Sequence, residues 1–217
     1  MHSERYKFIY LHVPKTGGNS ITHRLLPVCD NQIYTEAHHD GVNRFGVQSP
    51  MSRDKHANLS VYAGYLGERF ADYRILISVR HPFPRALSYY FSPNHWMTQE
   101  VDGRWVCHEP VWVEERFLAM VGADRPKPAL SYLDLTPRPA SPFVIRTEFL
   151  NRDFDQAISG LGIPANKLAT LSHVNKTVAT NVMLDRLLVS TELRNTVEAQ
   201  YADDMKTFGY DSYVHQN

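Results

Sequence analysis

Short apolar runs alternate with amphipathic segments along the chain, and this alternation predicts its secondary structure. The runs "KFIYLHV" (7–13), "YRILISV" (73–79) and "PFVIRTEFL" (142–150) are rich in aromatic and β-branched residues, which predicts buried strands. A segment with helical spacing follows each run: "SITHRLL", "FPRALSYYF" and "NRDFDQAISGLG". Repeated strand–loop–helix units predict an α/β fold with a mostly parallel central sheet flanked by helices.

Two further segments depart from this alternation. Residues 93–142 hold all three tryptophans and several prolines. This composition predicts either an irregular excursion packed on the sheet or a pocket or lid for a second substrate. Near the C-terminus, apolar residues at helical spacing predict one buried helical face, formed by Val197, Tyr201, Met205 and Phe208.

The composition limits the classes of protein to which the chain can belong. Its 217 residues predict a single domain spanning residues 1–217. Lysine plus arginine balances aspartate plus glutamate at 23 each, so no general basic field for nucleic acid exists and any anion site must be local. The 2 cysteines exclude a disulfide-rich scaffold. With no apolar stretch long enough for a membrane span, we expect a soluble, cytoplasmic protein without a membrane partner.

The first candidate for such a site is "PKTGGNS", residues 14–20, which follows the first predicted strand. Two glycines permit a tight turn, and the next helix begins with unpaired N–H groups and a partial positive charge. Beside Gly17 and Gly18, Lys15 supplies a cation, and Thr16 and Ser20 supply hydroxyl groups. The pattern predicts a cradle for a tetrahedral anion, and its alternative is a glycine turn with a capping serine.

This loop differs from a Walker A loop. There the lysine follows the last glycine, with a hydroxyl beside it for magnesium. Here Lys15 precedes Gly17 and Gly18, and no apolar run ends in an aspartate that obviously serves magnesium. The sequence therefore predicts binding of phosphate-like oxygens without a metal ion.

A second candidate site lies in "VRHPFPRALSYY", residues 79–90. Arg80 ends the second predicted strand, and Ser88 lies on the following helix. Carboxyl ends of parallel strands meet at one edge of a sheet, so this arginine and serine are candidates to hold a second phosphate. The alternative is a surface helix with ion pairs.

Together, "HVPKTGGNS" and "ISVRHPFPRALSYY" resemble the paired signatures of sulfotransferases that use 3′-phosphoadenosine 5′-phosphosulfate (PAPS). The likeness is closest to the carbohydrate branch, which includes the heparan sulfate 2-O enzymes, and it continues through "FVIRTEFL" and "LSHVNKT" (171–177). The resemblance implies a P-loop-like sulfotransferase fold with PAPS as donor and the bisphosphate PAP as product.

The resemblance also implies residue roles. Lys15 would contact the bridging oxygen of the donor, the amides of Thr16 to Ser20 would bind its 5′-phosphate, and Arg80 and Ser88 its 3′-phosphate. Asn19 stands where the family more often has threonine. A late loop would close over the nucleotide. The predicted donor-binding residues are Lys15, Thr16, Gly17, Gly18, Asn19, Ser20, Arg80, Ser88, Asn175, Lys176 and Thr177.

The general base of the relatives is missing at its expected place. A "HGH"-like string supplies it in the 2-O-sulfating branch, whereas Ala63 and Tyr65 occupy those histidine positions here. The most suggestive replacement is "TEAHHD" (35–40), in which a carboxylate could orient a histidine. The predicted catalytic residues are Lys15, Glu36, His38 and His39.

Alternatives to this base remain open. The segment "TEAHHD" also suits a polar loop with solvated histidines, and His56, His95 and His108 are weaker candidates for the base. An amine or an already acidic acceptor would need no strong base. Adjacent histidines do not readily converge on one ion, so the sequence predicts no metal site.

The sequence thus predicts an enzyme that moves a sulfuryl group from PAPS to a hydroxyl, or an amine, of a small metabolite or sugar. Its partners would be this acceptor and the donor, with no nucleic acid; the oligomeric state is not predicted. Two rival functions are a nucleotide-dependent phosphotransferase and a catalytically silent nucleotide-binding module.

Overall fold

A computed structural model describes residues 1–37, 43–136, 141–170, 187 and 190–214. The strands are β1 (His2–Ser3), β2 (Phe8–Leu11), β3 (Gln32–Ala37), β4 (Asn43–Gln48), β5 (Arg74–Val79), β6 (Met97–Gln99), β7 (Trp105–Cys107) and β8 (Phe143–Arg146). The helices are α1 (Gly18–Leu25), α2 (Leu59–Leu66), α3 (Pro82–Tyr90), α4 (Glu114–Gly122), α5 (Leu150–Gly160), α6 (Thr191–Gln200) and α7 (Ala202–Phe208).

The central sheet has the strand order β1–β2–β5–β8 and is mostly parallel, as the sequence predicts. Strand β5 pairs in parallel with β2 on one side and with β8 on the other, while the short edge strand β1 is antiparallel to β2. All three predicted strands are confirmed. The third is shorter than its apolar run, because a 3-10 turn, Thr147–Phe149, follows Arg146.

Contacts divide the chain into two compact units. The first comprises the described residues of Met1–Tyr34, Phe45–Arg80 and Ala129–Val174, and the second those of Thr35–Arg44, His81–Pro128 and Asn175–Asn217. That the whole chain forms a single domain stays a prediction.

The core of the first unit lies between the central sheet and the helices α1 and α5. Ile21 and Leu25 of α1 and Phe154 of α5 pack with strand residues such as Tyr10 and Leu76 in one buried cluster. These helical residues recur every three or four positions, so each helix turns one apolar stripe toward the sheet. This packing fixes the strand-to-helix connection that holds the first candidate site.

The second unit has a separate core built by α3, α4 and α6. Phe83, Leu87 and Tyr90 of α3 are buried in it with Phe117 of α4 and Val197 of α6. The tryptophans Trp96 and Trp112 pack against the same cluster, so part of the segment 93–142 is regular structure rather than an irregular excursion.

The predicted apolar face near the C-terminus belongs to two helices instead of one. Helix α6 ends at Gln200, Tyr201 follows it with φ −107 and ψ 33, and α7 begins directly after Tyr201. The Tyr201 hydroxyl donates a 2.8 Å hydrogen bond to the carbonyl of Pro126. Val197, Tyr201 and Phe208 are buried as predicted, and Met205 is half-buried.

Among the residues that the structure describes, no helix has the length and apolar character needed to cross a membrane.

Candidate functional site

The predicted anion loop connects the carboxyl end of β2 to the N-terminus of α1. Its backbone is left-handed at Lys15, with φ 68, and at Gly17, with φ 71. Glycine adopts this conformation without cost, whereas a lysine in it is uncommon and is held there by the surrounding structure. The two left-handed residues bring the chain from the strand into the helix within a few residues.

Gly18 is required by a close approach to the ring of His12. A Cβ atom at Gly18 would lie 2.1 Å from the Cδ2 atom of His12 and 2.3 Å from its Nε2 atom. The ring is buried, so it has little space into which to move. The first helical residue must therefore be glycine for the loop to keep this path.

Thr16 anchors the loop to the interior, which corrects the prediction that its hydroxyl serves the anion. The hydroxyl donates to the carbonyl of Val13 at 2.7 Å and lies 2.7 Å from Ser78 Oγ, which also accepts a 2.9 Å bond from the Tyr10 hydroxyl. One proton order satisfies the whole chain: Tyr10 donates to Ser78, Ser78 to Thr16, and Thr16 to Val13. Only the backbone amide of Thr16 is left as a candidate donor to an anion.

In Ser20 it is the backbone amide that is engaged within the loop, whereas in Thr16 it is the hydroxyl. The backbone N–H of Ser20 donates to the carbonyl of Gly17 at 3.1 Å, so the predicted amide contact with an anion is weakened. Its side chain and that of Asn19 are half-buried in the first turn of α1. The hydroxyl of Ser20 is thus its better candidate donor.

The neighbouring strands bring two further residues to the same edge of the sheet. Arg80, half-buried, follows β5 directly, as the sequence predicts. Thr147 follows β8, donates a 2.9 Å hydrogen bond to the carbonyl of Val79, and has its methyl group 3.7 Å from where a Cβ of Gly17 would lie. The sequence alone does not single out Thr147 as a neighbour of the loop, because its context, "VIRTEF", belongs to a predicted strand.

An ion pair fixes the turn that carries Thr147. Asp153 of α5 accepts hydrogen bonds from the backbone N–H of Arg146 at 3.1 Å and from its Nε at 2.8 Å, and Arg152 adds a contact of 2.8 Å. Burial by itself would raise the pKa of Asp153, but these hydrogen bonds outweigh it and lower the pKa below its ordinary value.

Ser88 lies in α3, in the second unit, and is buried with 6% of its surface exposed. The same helix carries Arg85, which was expected on a surface in the alternative interpretation. Arg85 is instead 1% exposed, donates a 2.9 Å hydrogen bond to the carbonyl of Lys127 and faces Asp204 at 3.9 Å. The joint role of Arg80 and Ser88 stays a prediction.

Several predicted residues cannot be placed. His38 and His39 lie outside the described residues, as do Asn175, Lys176 and Thr177. The backbone of Glu36 belongs to β3. Their predicted roles therefore stay predictions.

Two histidines lie beside the anion loop. The rings of His12 and His56 meet edge to face with centroids 4.7 Å apart, and Nδ1 of His56 lies 2.7 Å from the carbonyl oxygen of His12. The sequence indicated His56 only weakly. Its proximity to the loop depends on tertiary contacts that span 44 positions of the chain.

The second unit contains a cleft of about 300 Å³. It is lined by Tyr89, Tyr90, His95, Arg116, Met120 and Arg125. Arg116 is held in place by the Trp96 ring, 4.2 Å from its guanidinium carbon, and by a 2.8 Å hydrogen bond to the carbonyl of His95. The cleft includes part of the segment 93–142, for which a substrate pocket was one of two predictions.

Within the described part of the chain, no group of three or more His, Cys, Asp or Glu side chains is placed to hold a metal ion. The absence of a metal from the reaction stays a prediction.

Comparison with known proteins identifies the family. The family described as "Sulfotransferase family" matches residues 1–116. No curated protein and no solved structure matches the chain. The likeness to the heparan sulfate 2-O branch stays a prediction. Because the match covers 116 of 217 residues and includes both predicted anion sites, the chain belongs to the family of PAPS-dependent sulfotransferases and is an enzyme that transfers sulfuryl groups.

Proposed function

We propose that this enzyme takes PAPS as its donor and transfers the sulfuryl group to a hydroxyl, or an amine, of a small metabolite or sugar. The observation that carries the proposal is the loop of residues 14–20, placed between a buried parallel strand and the N-terminus of α1. A strand, a glycine turn and a helix N-terminus in this order favour a tetrahedral anion. The same order supports a P-loop-like sulfotransferase fold.

Different residues of the loop bind different parts of the 5′-phosphosulfate. Lys15 supplies the full positive charge and contacts the bridging oxygen. The backbone amides of Thr16, Gly17 and Gly18 bind the phosphate. Asn19 and the hydroxyl of Ser20 complete the site from the first turn of the helix.

The 3′-phosphate binds to Arg80 and Ser88, and Asn175, Lys176 and Thr177 close over the nucleotide. The position of Arg80 directly after β5 supports this role, since ligands of parallel sheets gather at the carboxyl ends of strands. A guanidinium group gives a forked, charge-assisted contact with phosphate oxygens.

Transfer proceeds in line, with the acceptor oxygen forming a bond to sulfur as the bond from sulfur to the bridging oxygen breaks. Negative charge develops on that bridging oxygen as it leaves. Lys15 and the loop amides stabilise the charge where it develops, and this stabilisation is stronger in the transition state than in the bound donor. These groups provide the charge stabilisation that a metal ion supplies in nucleotide phosphotransferases.

The cleft in the second unit is the candidate acceptor pocket. Its aromatic rings suit the apolar faces of a sugar or a planar metabolite, and Arg116 and Arg125 suit an acceptor that carries a negatively charged group.

Isothermal titration calorimetry with PAP tests the donor assignment. We expect PAP to bind with the same affinity in the presence and absence of EDTA, because the proposed contacts with its phosphates all come from protein groups and need no metal ion. ATP with magnesium is the comparison ligand. Absence of PAP binding, or ATP binding that requires magnesium, contradicts the proposal and favours a phosphotransferase.

A further inference from the structure

His56 is tied to the start of the anion loop by two contacts. Its ring meets the ring of His12 at a centroid distance of 4.7 Å, and its Nδ1 atom lies 2.7 Å from the carbonyl oxygen of His12. The His12 ring in turn lies against the backbone of Gly18, the first residue of α1. His56 therefore lies beside the residues that we assign to the 5′-phosphosulfate.

The contact with His12 determines the tautomer of His56. A carbonyl oxygen only accepts hydrogen bonds, so Nδ1 of His56 must carry the hydrogen that forms this bond. In the neutral ring the other nitrogen, Nε2, then bears a lone pair and can accept a proton. The backbone N–H of His56 donates to Asp54 at 2.8 Å, which fixes the segment that carries the ring.

The surroundings favour the neutral form of both rings. Burial lowers the pKa of His56 below its ordinary value; the bond to the His12 carbonyl and the charge of Asp54 oppose this shift, while Lys55 adds to it. Burial, followed by the neighbouring His56 and Lys55, holds the pKa of His12 well below its ordinary value. A neutral imidazole is the form that can remove a proton.

We propose that His56 is the general base of the transfer, with His12 as its positioning residue. Nε2 of His56 takes the proton of the acceptor hydroxyl while the acceptor oxygen bonds to sulfur. The electron pair of the broken sulfur–oxygen bond stays on the phosphate of the leaving PAP. The inference rests on the proposed function, and it assigns the general base to a residue that lies beside the loop.

The substitution His56→Asn separates a base from a purely structural histidine. The asparagine amide can still donate to the His12 carbonyl, but it has nothing equivalent to the Nε2 lone pair. We expect release of PAP from PAPS, with water as the acceptor, to fall by about 100- to 10,000-fold. PAP affinity should be unchanged. The half-buried His23 in the last turn of α1, replaced in His23→Asn, is the matched control and should keep full activity.

The pH profile gives a second readout. The base form of His56 is lost as the pH falls through its lowered pKa, so kcat/KM of the wild type should show an acidic limb that lies below the ordinary histidine pKa. This acidic limb should be missing from the residual activity of His56→Asn. The assignment is overturned if His56→Asn is as active as the wild type. It is also overturned if the variant loses PAP affinity in parallel with activity.

Nitrogen-15 NMR of histidine-labelled protein tests the tautomer without any acceptor. We expect His56 to be neutral at pH 7.5 with its hydrogen on Nδ1, and an Nε2–H tautomer or an imidazolium ion overturns the proposal. Wild-type PAP binding is measured first. If the wild type does not bind PAP, the proposed donor is wrong; if it binds PAP and His56→Asn is fully active, only the base is wrong.

Discussion

The substitution Ser78→Ala tests the hydrogen-bond chain that anchors the anion loop. Ser78 is fully buried, accepts a 2.9 Å bond from the Tyr10 hydroxyl and bonds to Thr16 at 2.7 Å. Alanine removes both bonds. Thr16 keeps its bond to the Val13 carbonyl, so the main loss is the acceptor of the Tyr10 hydroxyl, which is also fully buried.

The expected size of the effect follows from that one unsatisfied donor. A buried polar group left without a partner costs about 1–3 kcal/mol of unfolding free energy. For a chain of this length each kcal/mol corresponds to about 2–4 °C, so the melting temperature should fall by about 2–12 °C. Tyr10→Phe is the milder variant, because Ser78 can still donate to Thr16.

Urea unfolding followed by circular dichroism measures these free energies. In the double variant Tyr10→Phe/Ser78→Ala no hydroxyl is left without an acceptor, so its destabilisation should be smaller than the sum of the single effects. We expect a coupling energy of about 0.5–3 kcal/mol. Additive effects, or a loss below about 0.5 kcal/mol in Ser78→Ala, contradict the proposed chain.

Three further predictions concern the loop and its surroundings. Gly18→Ala should destabilise the protein by about 1–3 kcal/mol, because its Cβ overlaps the ring of His12; thermal unfolding measures this, and the added substitution His12→Ala should restore part of the loss. Lys15→Ala should reduce turnover far more than PAP affinity, whereas Arg80→Ala should weaken PAP binding by about 2–3 kcal/mol. Calorimetry measures the PAP affinity, and the release of PAP from PAPS measures the turnover. Equal, small effects of both substitutions contradict the assignments. The carboxylate of Asp153 has a lowered pKa, so its contribution to stability is complete above the ordinary aspartate pKa and disappears as the pH falls through the lowered value. In acid unfolding, the free energy of unfolding of Asp153→Asn should therefore depend less steeply on pH than that of the wild type. An unchanged pH dependence speaks against this linkage.

The sequence predicts the central strands and their helices because their signals are local. The aromatic and β-branched run before the glycine loop forms β2, and the apolar stripe of Ile21 and Leu25 lies on α1. Local signals also mislead. The apolar spacing from Val197 to Phe208 suits one helix, but the backbone at Tyr201 ends the first helix and separates it from the second.

The roles of individual loop side chains were harder to predict. A threonine beside two glycines suits an anion site, yet the hydroxyl of Thr16 turns to Ser78, 62 positions away in the chain. Thr147 reads as part of a strand, but the structure places it against Gly17 and Val79. In each case the partner of the side chain is set by parallel strand pairing, which sequence spacing does not encode.

The sequence by itself determined the parallel α/β framework, the position of the anion loop and the family. These depend on periodic burial and on short runs of glycine, lysine and hydroxyl residues. Tertiary structure alone decided that the hydroxyl of Thr16 faces the interior and that His56 lies beside the loop. His56 gains its defined tautomer only because folding brings it to the carbonyl of His12, and a hydrogen bond between distant segments has no local sequence signal.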